Sequence, residues 1–388
     1  MKKGLIVVSL AVAVFSASCQ DDGPTAPKKA VVVALRLDST WIDSIRLTEV
    51  VSLHYIAVPT YDSSGESIHP DFIRFDRPWA GYKYWMVVTP YRFFLAELEN
   101  PSLKVSNDGE NWIPAPGVPD PLVPGYMAGY NSDPELVFDH VRGCMSVVFR
   151  FVFRENNIRE LNSCDGVNWG ESRLLFWEPN HDAVSQTITD GKGNARDMFY
   201  VSAGIRGCGA TSTEIKMRSA LDGRASLGEM TFGPASSINM KQAGLVIWHL
   251  KVRYIPSKNE WWAMYVAYSP RLDGSCSRSD LYFAKSTNRT QWQTYPLPIV
   301  SRFDRRFDFL SVYRASFDYD SSTDELLVIT SVIDSTDHLW QYRGVFNYPR
   351  LQQVLDLTVG SSVEESRARF SVLGNRHGSR ERILMEDR

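Results

Sequence analysis

The residue types able to do acid–base or nucleophilic chemistry are widely spread along this chain. His69 and Asp71 flank Pro70, Asp133 precedes Pro134 and Glu135, His181 adjoins Asp182, His249 follows Trp248, and Arg314 follows Tyr313. Carboxylates and imidazoles serve as general acids, bases and nucleophiles, and a guanidinium binds a carboxylate in bidentate fashion. Tyr91, Arg92 and Glu99 form a further polar group, with Arg154, Glu155 and Asp280 later in the chain. Such groups act together only if the fold carries distant segments to one place. Two stretches indicate how: "HPDFIRF" from His69 and "DPELVF" from Asp133 each set a proline and a titratable group ahead of an apolar run.

Those runs belong to strands. Helical periodicity is nearly absent, and short segments rich in Val, Ile, Tyr, Phe and Trp alternate with Gly, Asn, Asp, Ser and Pro, an all-β pattern. Paired strands are expected at 72–75 with 82–89, 136–138 with 145–151, 184–188 with 198–202, 250–254 with 261–268, and 315–319 with 326–331. A turn recurs downstream as Ser106-Asn107-Asp108-Gly109-Glu110-Asn111-Trp112, Ser163-Cys164-Asp165-Gly166-Val167-Asn168-Trp169 and, more loosely, Ser286 to Trp292, with a degenerate copy at Ser219. Four-stranded units repeating every fifty to sixty-five residues or so are propeller blades, so the expected fold is an all-β, five-bladed β-propeller over 46–355. The segment 50–60 is expected to close the fifth blade, and 356–388 to form a charged tail without strands.

In an up-and-down blade the start of the first strand, the end of the second and the start of the third share one face, where the channel opens. His69, Asp71, Asp133, His181, Asp182, Trp248, His249, Tyr313 and Arg314 are then expected around one mouth, joined by Tyr91, Arg92, Glu99, Arg154, Glu155 and Asp280 from loops. Such a cluster is costly to desolvate unless its members pair or are used.

The bulk properties narrow the partners. A net charge of −3, from 42 basic and 45 acidic residues, supplies no long-range attraction for nucleic acid. Met1-Lys2-Lys3, an apolar stretch and Ser16-Ala17-Ser18 before Cys19 resemble a bacterial lipoprotein signal, with Cys19 the lipidated residue and 20–45 a tether and leading strand. The expected location is the cell envelope, held by the lipid anchor alone, with plain secretion as the alternative. Cys144, Cys164, Cys208 and Cys276 remain, without CxxC or zinc-type spacing, so no thiolate metal site is expected. The blade layout pairs Cys144 with Cys164 within a blade and Cys208 with Cys276 between blades.

The blade count, the blade-start Asp133-Pro134 and the Ser/Asp-Gly/Trp turns resemble the five-bladed glycoside hydrolases, the arabinanase, xylosidase and invertase-like group, over roughly 54–355. The resemblance implies a pocket with carboxylates from the first three blades. Asp133 matches the group's orienting Asp-Pro, His69 stands where the group has an acid, and Glu178 or Asp182 is the blade-three candidate. It implies Asp133, Glu99, Asp71 and Asp182 as catalytic candidates, and His69, Tyr91, Arg92, His181, Trp248, His249 and Arg314 as substrate ligands. No cofactor is called for, although His69 or His249 could touch a central calcium. The expected function is an exported, monomeric propeller that hydrolyses a glycan. The alternative is a non-catalytic glycan-binding or adhesion lipoprotein, favoured by His69 in place of an acid. A purely structural propeller would instead pack its rim aromatics Trp79, Tyr91, Phe93 and Trp248.

Overall fold

The computed structural model describes residues 50–359 apart from 126–128, 154–155, 179–181, 191–195, 205–206, 222–228 and 305. Cys19, the signal and tether, Arg154, Glu155, His181 and the tail from 360 lie outside the described residues. Five four-stranded antiparallel sheets form the blades. Blade one is β2 (Ser67–Trp79), β3 (Tyr82–Pro90), β4 (Ser102–Ser106) and β5 (Ile113–Pro114). Blade two is β6 (Tyr130–Asp139), β7 (Cys144–Val152), β8 (Asn156–Ser163) and β9 (Arg173–Trp177). Blade three is β10 (Asp182–Asp190), β11 (Arg196–Ala203), β12 (Thr213–Ser219) and β13 (Ser236–Ser237). Blade four is β14 (Val246–Ile255), β15 (Glu260–Tyr268), β16 (Asp280–Ser286) and β17 (Gln293–Thr294). Blade five takes β18 (Phe309–Asp320), β19 (Glu325–Asp334) and β20 (Leu339–Asn347) from late in the chain and β1 (Val50–Ile56) as its outer strand, as expected for 50–60.

The first strands contact one another in the closed order β2, β6, β10, β14, β18 and back to β2. Each carries a bulge at an equivalent place. Ladder pairing skips His69 and Pro70 in β2, Asp133 and Pro134 in β6, and Ser185 and Gln186 in β10, while β14 and β18 each pass over one residue, Trp248 and Tyr313. The prolines thus sit at bulges, where no ladder donor is missed, rather than at strand starts as the sequence implies. His69, Asp133 and Ser185 all take positive φ, at 57°, 51° and 52°. A left-handed backbone costs a non-glycine residue about 1–3 kcal/mol, and such strain concentrates at functional positions.

The repeated turns are built alike. Asp108 accepts hydrogen bonds from the amides of Glu110 and Asn111, Asp165 from those of Val167 and Asn168, and Asn288 from those of Thr290 and Gln291. The left-handed residue is Gly109, Gly166 or Arg289, and Trp112 and Trp292 fold back to donate to its carbonyl. Both expected disulfides are present, Cys144–Cys164 with Cα atoms 4.0 Å apart and Cys208–Cys276 at 5.1 Å. The boundary expected at 355 falls inside a helix, α1 (Tyr348–Val359). Tyr348, Leu351 and Leu355 lie on its buried face, and Tyr348 stacks on Trp262 at 4.1 Å. No helix among the described residues is long and apolar enough to cross a membrane.

Candidate functional site

Because the bulges coincide, the first strands present two tiers of inward side chains. Nearer the mouth stand His69, Asp133, Ser185, His249 and Arg314. Two residues further along the same strands stand Asp71, Glu135, Thr187, Lys251 and Ser316, as the period of two requires. All ten are buried.

The deeper tier is a closed polar plug. Lys251 Nζ lies 2.8 Å from both Asp71 and Glu135. Asp71 also accepts from Ser316 Oγ at 2.5 Å and from the Leu136 amide at 2.7 Å, while Glu135 accepts from Thr187 Oγ1 and the Ile188 amide. Burial alone would raise Asp71, but Lys251, Arg253 and these bonds outweigh it and hold the carboxyl below its ordinary value. Asp71 is therefore a tie between blades and has no free oxygen for catalysis, which corrects its expected role.

The outer tier converges on Asp133. Its Oδ1 lies 3.4 Å from His69 Nε2, 3.2 Å from His249 Nε2 and 3.3 Å from Arg314 Nη1, and its Oδ2 lies 3.1 Å from Arg150 Nε. Burial pushes both imidazoles below their ordinary value, His69 strongly, so both are neutral at neutral pH. Burial would raise Asp133, yet the basic groups around it outweigh burial and drive it well below the carboxylate range, with the Arg150 and Arg314 guanidiniums in direct contact. His249 Nδ1 lies 2.8 Å from the Tyr313 carbonyl, which can only accept, so Nδ1 bears the hydrogen and Nε2 a lone pair. That lone pair faces a carboxylate oxygen that also meets the Arg314 guanidinium, and a bound cation could take both the nitrogen and the oxygen as donors. His69 Nε2 faces the same oxygen, its Nδ1 sharing a 3.0 Å bond with Thr89 Oγ1. His69, Asp133 and His249 offer one donor each, all within 4.8 Å of one another. A buried N₂O donor set with the far ring nitrogens fixed by hydrogen bonds fits a divalent transition ion. Calcium, which takes six or more oxygens, would draw only the Asp133 carboxylate from this set and the rest from water. The three candidate donors come from three blades, so no sequence spacing announced them.

Glu99 closes the group from the β3–β4 loop, its Oε2 3.6 Å from His69 Nδ1. Burial raises its carboxyl to about 8, with Arg150 lowering and Asp133 raising it less, so Glu99 keeps its proton at neutral pH. Tyr313 packs on both imidazoles at 4.9 and 5.6 Å. Tyr91 is half-buried beside Tyr313, whereas Arg92 lies on an exposed loop over Phe93. Arg314 is buried against Asp133 and Glu135, so it holds the site together rather than reaching for a ligand.

Trp248 is buried beside His249, and Trp79 lies at the opposite end of β2, its indole donating to Gly143 O; neither is a rim residue. Glu178 is bound by Lys216, Tyr200 and Arg218, and Asp280 is committed to Ser301 and Arg302. Asp182 opens β10 opposite Ala203. Arg150, Glu135 and Lys251 were not anticipated. An open groove of about 350 Å³ lined by Tyr55, Asp308, Asp334, Trp340 and Tyr342 lies on the outer edge of blade five. Its Asp334 is occupied by the turn amides of Thr336 and His338 and by the Trp340 indole, so the donor cluster, not this groove, is the chemical centre.

No family model matches this chain. The A type blood N-acetyl-alpha-D-galactosamine deacetylase of Flavonifractor plautii is 25% identical over 372 residues, covering 82% of this chain and 46% of the relative. The chain thus spans about half the length of that curated relative. The crystal structure of an N-acetylgalactosamine deacetylase from F. plautii in complex with blood group B trisaccharide superposes with a TM-score of 0.71 at 21% identity, covering 81% of this chain and 99% of the other. Xylan beta-1,4-xylosidase from Bacillus halodurans C-125 gives a TM-score of 0.54 at 11% identity, over 72% of this chain and 52% of the other. The expected likeness to the five-bladed propeller of glycoside hydrolases holds at the level of fold.

Proposed function

We propose that this protein is a metal-assisted carbohydrate deacetylase that removes an acetyl group from an N-acetylated sugar. The observation that carries this reading is the pair of imidazole nitrogens, His69 Nε2 and His249 Nε2, set against one oxygen of an ionised Asp133 at 3.4 and 3.2 Å. The likeness to deacetylases in both sequence and fold supports it. When bound, a divalent ion would polarise the acetyl carbonyl and favour attack by water. His69, Asp133 and His249 would hold it, while Tyr313 O fixes the tautomer of His249. Arg150 and Arg314 keep Asp133 charged. Glu99, protonated at neutral pH, is placed to deliver a proton to the departing amine nitrogen. Water gives a proton to solvent as it adds to the carbonyl carbon, Glu99 protonates the nitrogen as the C–N bond breaks, acetate and the free amino sugar leave, and Glu99 regains its proton from solvent.

Glycoside hydrolysis is the second reading, favoured by one observation: a protonated Glu99 and an ionised Asp133 are the two states that chemistry requires. Against it, Asp133 lies within 3.4 Å of two guanidiniums and two imidazoles, a setting that makes it a held charge rather than an attacking group. The two readings separate on the purified full chain. Acetate release from N-acetylated glycans should stop on chelation and return with added divalent metal, and bound metal should fall in His249→Ala. Chelator-insensitive hydrolysis of aryl glycosides without acetate release would replace the deacetylase with a glycosidase. We further propose that the chain is exported and lipid-anchored through Cys19; two disulfides, which persist in oxidising compartments, support this.

A further inference from the structure

The β3–β4 loop carries an aromatic crest that the chemistry above does not use. Arg92–Phe94 forms one 3-10 turn and Ala96–Leu98 a second, ending at Glu99. Phe93 and Phe94 both have positive φ, at 56° and 57°, and are 62% and 40% exposed, with Leu95 at 42%. Left-handed backbone is the province of Gly and Asn, and two adjacent aromatic residues there are strained. Such strain is ordinarily offset by packing, but Phe93 buries little of its ring. Fold stability therefore gives no reason for an aromatic side chain at this point.

The loop is nonetheless well tied. Phe94 N bonds Tyr91 O, Leu95 N bonds Arg92 O, Leu98 N bonds Leu95 O, and Glu99 N bonds Ala96 O, while Tyr61 Oη donates to Leu98 O at 2.6 Å. Phe94 meets Tyr91 edge-on at 5.7 Å, and Tyr91 packs on the same small cluster of Ile68, Ile333 and Leu339 as Tyr313, the residue that covers both imidazoles. The Arg92 guanidinium lies 4.5 Å from the Phe93 ring centre and so covers one side of it. An exposed ring on a hydrogen-bonded loop is thereby presented on the mouth side of blade one, on the same short loop as Glu99.

We propose that Phe93 is a stacking platform for the sugar next to the one that reacts, so that the ligand is a glycan of two or more residues. The proposal rests on the carbohydrate reading and extends it to chain length. Aromatic faces bind the C–H faces of sugars, and a platform pre-organised by hydrogen bonds loses little entropy on binding. The crest is two rings and one leucine on a loop, without the basic polar face of a membrane-surface helix, so a lipid bilayer is the weaker partner.

Binding decides the matter independently of turnover. Affinities of the full-length protein are measured for a panel of N-acetylated and neutral methyl glycosides, each as mono-, di- and trisaccharide. The expected result is a gain on the order of tenfold from mono- to disaccharide in at least one series, lost in Phe93→Ala and retained in Phe93→Tyr. Phe93→Gly, which removes ring and strain together, should also lose the gain without lowering the thermal midpoint. A gain that survives Phe93→Ala, or no length dependence in any series, overturns the platform. Loss of adsorption to phosphatidylcholine–phosphatidylglycerol vesicles in Phe93→Ala, with the length gain intact, would assign the crest to membranes instead. Acetate release on the same panel reports on the deacetylase reading separately, so either idea can fail while the other stands.

Discussion

His249 spends its one ring hydrogen on the Tyr313 carbonyl and turns its remaining lone pair to Asp133. Its replacement by Ala should lower kcat/KM for acetate release by at least about 100-fold, more than the 10–100-fold typical of losing a group that merely orients a ligand. A loss under tenfold, measured with metal in excess, would remove His249 from the centre. Lys251 answers to a different test. It neutralises two buried carboxylates, and breaking such a pair costs about 3–5 kcal/mol. Lys251→Met should shift the urea midpoint accordingly, and an unchanged midpoint would show that the plug is not a structural tie. That His69, Asp133, Glu99 and His249 meet at one mouth was legible in the sequence because each stands at a blade start or in a mouth loop, although His69 and His249 read there as substrate ligands and no metal was called for. Lys251 was not, since lysine in a strand reads as solvent-facing, although it stands two residues after His249. Arg150 was not legible because, near the end of β7, an arginine in a strand also reads as solvent-facing.

Among the elements, the turns were the easiest to read and the helix the hardest. The Ser/Asp-Gly/Trp repeat announces a left-handed residue and an aspartate that accepts turn amides, and both occur as written. Hydrogen bonds from the Asn111 and Glu110 amides and the Asn111 side chain hold Asp108 below its ordinary value, and bonds from Asn168 and Val167 do the same for Asp165. A carboxyl depressed in the folded state stabilises it fully above the unfolded value near 4, and the contribution fades as pH falls through the folded one. Asp108→Asn with Asp165→Asn should therefore flatten the loss of stability between about pH 4.5 and 2.5, as Asn already serves at 288. Identical urea midpoints across that range for both proteins would refute the assignment. Helix α1 escaped notice because Tyr348, Leu351 and Leu355 give a thin apolar face next to a charged segment, and its burial depends on Trp262, far back in the chain.

At the scale of the molecule, the period of the repeat specified five blades and the closing strand, which is why both disulfides could be paired from topology. Cys208–Cys276 spans 68 residues and joins blades three and four. The chain-entropy argument assigns such a link roughly 4 kcal/mol, so Cys208→Ser with Cys276→Ser should lower the denaturant midpoint and leave metal binding unchanged. Equal midpoints in the oxidised and double-serine proteins would show that blade contacts alone carry the ring. What the repeat could not show is how five polar side chains at equivalent places divide their labour, since that depends on which residue faces which across the channel.

The closing strand has one more consequence. β1 ends opposite the start of β20, with Ile56 paired to Gln341 on the mouth side, so Val50, paired to Phe346, lies on the other face. β20 likewise leaves the ring at Asn347 on that other face, where α1 begins. Both chain leads thus join the body from behind. The entry to β1 and the exit into α1 therefore keep clear of the mouth, which is framed by the bulged first strands and the β3–β4 loop.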